Sequence, residues 1–97
     1  MAQIAWTPQA LDDLEAICLF IARDDPRVAE VFARRAFQAV ERLADFPQSG
    51  RVVPEFGLEE VREVFLQSYR IIHRVKEGEV EILTVHHGAQ LLDDLDL

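Results

Sequence analysis

Residues 61–75, VREVFLQSYRIIHRV, constrain this chain more than any other stretch, because they alternate like β-strands yet carry three arginines. Side chains two apart share a strand face. Arg70, Ile72 and Arg74 are therefore predicted on one face, and Tyr69, Ile71, His73 and Val75 on the other. Val61, Glu63 and Phe65 oppose Arg62, Val64 and Leu66 in the same way. A small sheet covered by helices on one face has no structural need for arginines among its central residues. Guanidinium groups there imply partner carboxylates or an anionic ligand. The plainer alternative is rim arginines in surface ion pairs with Glu60, Glu63 or Glu81, which contribute little. His73 shares its face with Tyr69 and Ile71, so it reads as structural.

Helix signals precede this region. Thr7 followed by Pro8 is an N-cap with proline at the first helical position. Leu11, Leu14, Ile17, Cys18 and Ile21 then mark one apolar helix face ending near Arg23. Asp12, Asp13 and Glu15 are expected in its first turns, where the helix dipole favours negative charge. Asp25 and Pro26 repeat the start signal. Ala29, Phe32, Ala33, Ala36, Val40 and Leu43 form the buried stripe of a second helix that stops before Pro47. The short connection makes the pair an antiparallel hairpin over about residues 8–45. A short strand at residues 3–6 comes first. Residues 46–51 read as turn chemistry, and residues 54–57 as loop. A three-stranded meander follows at about 61–66, 69–75 and 80–86, with turns at Gln67 and Ser68 and at Glu77 and Gly78. The predicted fold class is α+β, in the order β-α-α-β-β-β, with a helical hairpin on one face of a mainly antiparallel sheet. The 97 residues form one domain, and the tail, residues 88–97, carries no decisive pattern.

Charge narrows the function. The net charge of -8 disfavours a nonspecific polynucleotide binder, so no direct DNA binding is expected. The acids cluster at both ends, while the middle is arginine-rich, with nine arginines against one lysine in the whole chain. That usage suits directional pairing with a protein partner. No apolar run is long enough for a membrane span and no secretion signal is visible, so the cytoplasm is the expected location. Cys18 alone makes neither a disulfide nor a zinc site, and it reads as a buried thiol. No metal or cofactor is expected.

Several residues in order extend this reading: Trp6, Ala10, Asp13, Leu14 and Ile17, then Phe46, Pro47, Gly50 and Arg51. Val61-Arg62-Glu63, Tyr69-Arg70-Ile71-Ile72 and the closing His87-Gly88 complete the series. In sequence and spacing over nearly the whole chain they resemble the RelE/ParE toxins of type II toxin–antitoxin systems, the ParE branch above all. The resemblance implies a toxin held inactive by a ParD-like antitoxin encoded beside it. Such antitoxins are DNA-binding dimers with an extended C-terminal segment, so a hetero-oligomer of toxin and antitoxin dimer is implied. ParE toxins stall DNA gyrase on cleaved DNA, with no catalytic residues of their own established. RelE toxins instead cut mRNA on the ribosome, using an arginine on the strand that matches Tyr69-Arg70 and acid–base residues near the end of the last strand.

The ribonuclease alternative would use Arg70 or Arg74 to stabilise phosphorane charge and His86 or His87 as acid or base. The bland reading makes the two histidines strand-end residues, one beneath the helices and one at the surface. A third possibility is an inactive interaction module. For the antitoxin, Leu19, Val28 and Val31 are expected as apolar contacts, and Arg27, Arg34, Arg62, Arg70 and Arg74 as carboxylate partners. The apolar tail residues Leu91, Leu92, Leu95 and Leu97 are expected to join that surface. Gln90 stands where ParE relatives often carry arginine, which puts any role for that position in doubt.

Overall fold

A computed structural model describes residues 1–88. Strand β1 (Gln3–Trp6) leads into helices α1 (Pro8–Ala22) and α2 (Pro26–Asp45), then β2 (Arg51–Val52), β3 (Val61–Leu66), β4 (Tyr69–Lys76) and β5 (Glu79–His87). The expectations for the tail leucines and Gln90 fall outside the described residues.

Both helix starts form as the sequence predicts. The Thr7 side chain accepts from the Ala10 N–H at 3.1 Å, and Pro8 opens α1. The same hydroxyl donates to the Ile82 carbonyl at 2.7 Å, so the cap also anchors α1 to β5. Asp25 accepts from the Arg27 N–H at 2.9 Å ahead of Pro26. The acids of α1 correct the expectation, because none lies in the first turn. Asp13 instead reaches across to β5, where it accepts from the Thr84 hydroxyl and from the Val85 N–H. Leu11 is a second correction: it is 45% exposed rather than part of the buried stripe.

The five strands lie in the order β1-β5-β4-β3-β2, with β1 parallel to β5 and every other pairing antiparallel. The architecture is α+β, two helices on a mixed, mostly antiparallel sheet. The sequence reading left residues 46–51 as a turn, yet Arg51 and Val52 pair with Glu63 and Arg62 as the edge strand β2. Gly50 makes this possible. Its φ of +87° suits glycine, and its backbone passes so close to the Glu63 carbonyl that a side chain would collide.

One face of the sheet meets the helical hairpin. Ala10, Val40 and Leu43 pack on Ile71, Val80, Ile82 and Val85, while Leu14, Phe32 and Ala36 meet Trp6, Ile17 and Tyr69. Burying each large apolar side chain here stabilises the fold by roughly 1.5–3 kcal/mol. The opposite face is also covered. Val53 and Phe56, from the loop at residues 53–60, close over Val61, Ile72 and Leu83. A β-bulge shapes this arrangement: Ile72 pairs with Thr84 and His73 with Ile82, leaving Leu83 as the extra residue on β5.

Candidate functional site

Two regions hold the candidate residues, and their chemistry differs. On the sheet, Arg70 is buried at the head of β4. Its two terminal nitrogens take the Glu55 carboxylate as a fork, Nη1 to Oε2 at 2.7 Å and Nη2 to Oε1 at 2.8 Å. Its Nε donates to Oε1 of Glu63, a fully buried carboxylate whose Oε2 accepts from Arg51 Nε at 2.6 Å. Arg51–Glu63–Arg70–Glu55 is thus one continuous chain of charge-assisted hydrogen bonds. The Arg70 hydrogen bonds hold the Glu55 carboxyl well below its ordinary range, at about 2. Glu55 in turn raises the Arg70 guanidinium above its ordinary value, against the opposing effect of burial. Arg51 also lies over the exposed Phe65 ring, 5.2 Å from its centroid, a cation–π contact.

Arg62 and Arg74 are engaged as well. Arg74 approaches Glu81 at 3.9 Å, and Arg62 Nη1 donates to the Gly50 carbonyl at 3.5 Å. Arg70, expected to offer its charge to a partner, is buried in the free chain, and two internal carboxylates occupy all three of its nitrogens. The plainer sequence reading was right about the partners Glu63 and Glu81, but wrong to place the first pair at the surface.

The four residues named for catalysis do not converge. Arg70 and His86 are direct cross-strand partners. His87 pairs instead with Tyr69, against which its ring stands edge-on at 5.3 Å. Arg74 lies four residues along β4, about 13 Å away at strand rise. His86 and His87 border an open cleft of about 510 Å³ between α1 and the end of β5, together with Gln9, Asp13, Phe20 and Tyr69. Cys18 is only half-buried, and partial burial pushes its thiol pKa up, away from nucleophilic use.

The second region is the outer surface of the helical hairpin. Leu19 is 62% exposed, Val28 53% and Val31 38%. Arg27 pairs loosely with Asp25 at 3.9 Å, and Arg34 with Glu30 at 3.4 Å, both at the surface. Five of the residues named for antitoxin contact thus share the hairpin, whereas Arg62, Arg70 and Arg74 belong to the sheet. Phe20, 64% exposed, was missed. It sits in the nearly continuous apolar run Ile17-Cys18-Leu19-Phe20-Ile21-Ala22, where a helical stripe gives no clue to which residues face outward. Glu55 was missed too, because a loop carboxylate beside Pro54 carries no periodic signal.

Residues 4–92 match the model of the ParE toxin of type II toxin-antitoxin system, parDE. The toxin RelE2 of Caulobacter vibrioides is 37% identical over 91 residues, covering 94% of this chain and all of that protein. Y4kP of Sinorhizobium fredii is 39% identical over 90 residues, covering 91% of this chain and 90% of its own length. A chain from the chromosomal ParDE toxin–antitoxin system of P. aeruginosa superposes with a TM-score of 0.73 at 26% identity, over 90% of this chain and 96% of that one. With its whole α+β core accounted for by these matches, the chain belongs to the ParE toxin family of type II toxin–antitoxin systems.

Proposed function

We propose that this type II toxin inhibits growth by binding and poisoning DNA gyrase, not by cleaving RNA, and that a ParD-like antitoxin neutralises it. The observation that carries the reading is the state of Arg70. Cleavage of RNA by its 2′-hydroxyl needs a cation free to meet charge developing on phosphorus. In this chain the strand arginine in the matching place already holds two carboxylates, and a buried ion pair of this kind is costly to open. The histidines lie on different cross-strand pairs, and Arg74 is too far along β4 to complete a constellation. A mechanism by binding needs only surface, and the hairpin supplies it: Leu19, Val28 and Val31 are exposed, as are Arg27 and Arg34, and exposed Phe20 extends to the cleft beside β5. The antitoxin is assigned to that surface, its apolar side chains against the leucine, phenylalanine and valines and its carboxylates against the arginines.

The test is a supercoiling assay with purified toxin, gyrase and plasmid. The expected result is inhibition with accumulation of cleaved DNA, reversed by the antitoxin. Intact gyrase activity beside messages cut within translated codons would replace this reading with the ribonuclease one.

A further inference from the structure

His73 is fully buried on β4, and neither ring nitrogen has a hydrogen-bond partner among the described residues. Directly across the ladder stands Arg62, whose Nε is likewise buried and unpartnered. Two unsatisfied polar groups side by side in a small core are costly, of order 1–3 kcal/mol each, and call for an explanation. Both face the same piece of chain, the turn at residues 46–50 that joins α2 to β2. Pro47 approaches the imidazole, and since proline has no N–H it does so through its carbonyl. Arg62 Nη1 reaches the Gly50 carbonyl at 3.5 Å.

We propose that His73 and Arg62 form a proton-sensitive latch that fastens the turn at residues 46–50 to the sheet, closed while the imidazole is neutral and released when it becomes charged. Opposing influences act on the ring. The Pro47 and Ile71 backbones favour a proton on it, whereas burial and the Arg62 charge disfavour one, and burial is the largest effect. From the other elements packed there, Ile82 of β5 brings no charge, Arg42 and Asp45 at the end of α2 are exposed, and Glu59 and Glu60 border, with Arg62, an open pocket that the ring does not line. Protonation therefore sets a fully buried imidazolium against the half-buried Arg62. The charged pair is relieved by letting water in, and the turn above it is the element that yields. It is held by few bonds of its own, among them Ser49 N–H to the Phe46 carbonyl at 3.0 Å. Phe46, Pro47, Gln48 and Ser49 also line an open, apolar surface depression of about 420 Å³ together with Val75, so one side of the turn faces solvent.

The experiment follows the His73 ring and the residue 46–50 amides by NMR in the intact protein from about pH 8 to about pH 4, through and below the ordinary histidine range. The expected result is a His73 ring that titrates below that range. Protection of the Ser49 amide, corrected for intrinsic exchange, should fall about tenfold or more as the pH drops. His73→Phe should remove this pH dependence while His86 and His87 remain. Arg62→Gln should move the His73 titration upward, which a purely structural arginine would not do. If His73→Phe fails to fold, the wild-type ring titration and the Arg62→Gln shift decide the matter by themselves. Unchanged Ser49 protection, or a ring titrating at its ordinary value, would overturn the latch.

Discussion

Arg70 holds Glu55 through both terminal nitrogens at 2.7 and 2.8 Å, so a central strand is bolted to a loop residue fifteen positions earlier in the chain. The bolt keeps residues 53–60 over the second sheet face and gives the buried Glu63 a counter-charge. Arg70→Ala leaves Glu63 short of a partner in a dry site, and this should cost about 3–5 kcal/mol. Urea unfolding checks it. On the proposed binding mechanism, toxicity should decline in step with the unfolding midpoint; toxicity lost while the fold persists would instead point to a role on a substrate.

The same pair sets an acid limit. Glu55 is held at about 2 in the folded chain against an ordinary value of 4.5. Its contribution is therefore complete above about pH 4.5 and lost progressively as the pH falls toward about 2. Glu55→Gln should flatten that part of the acid-unfolding curve. An unaltered curve would mean that the carboxylate is not ionised against Arg70.

The hairpin core is testable at two residues. Leu14 and Phe32 are buried against Tyr69 and Trp6. Leu14→Ala and Phe32→Ala should each cost about 2–5 kcal/mol through lost burial and the cavity left behind. Thermal and denaturant midpoints give the answer.

For activity, the discriminating variant is the double change His86→Gln, His87→Gln. Growth inhibition should persist at full strength in the folded protein. Loss of a proton-transfer group would instead lower the rate of a ribonuclease by about 10²–10⁴-fold. Induced expression followed by viable counts reads the difference.

For the antitoxin, Phe20→Ala combined with Val28→Asp removes exposed side chains and leaves the core untouched. Affinity for the antitoxin should weaken about tenfold or more, the loss expected when apolar anchors are removed. Unfolding should change little. Calorimetry on the pair measures it.

Much of this was legible from local chemistry. Thr7-Pro8 and Asp25-Pro26 announced both helices, and alternation placed β3 and β4 to within a residue. What escaped was non-local. The pairing of Arg51 with Glu63 depends on Gly50 bringing two backbones together, so β2 had no signature of its own. The extra Leu83 breaks the alternation of β5: Val80 and Ile82 share a cluster with Val85, not with residue 84. Arg70 stood out in the sequence as a strand arginine needing a counter-charge, but that Glu55 supplies it could be known only once the loop was folded over it.

The parallel pairing of β1 with β5 has a temporal side. Gln3 leaves the ribosome long before its partner Glu79. α1 likewise waits for Ile82, whose carbonyl receives the Thr7 hydroxyl. The first strand is thus sewn in only by the fifth, and contacts this distant in sequence form late. A chain cut short before residue 79 lacks the seam altogether, so an interrupted translation releases an open fragment instead of a finished toxin.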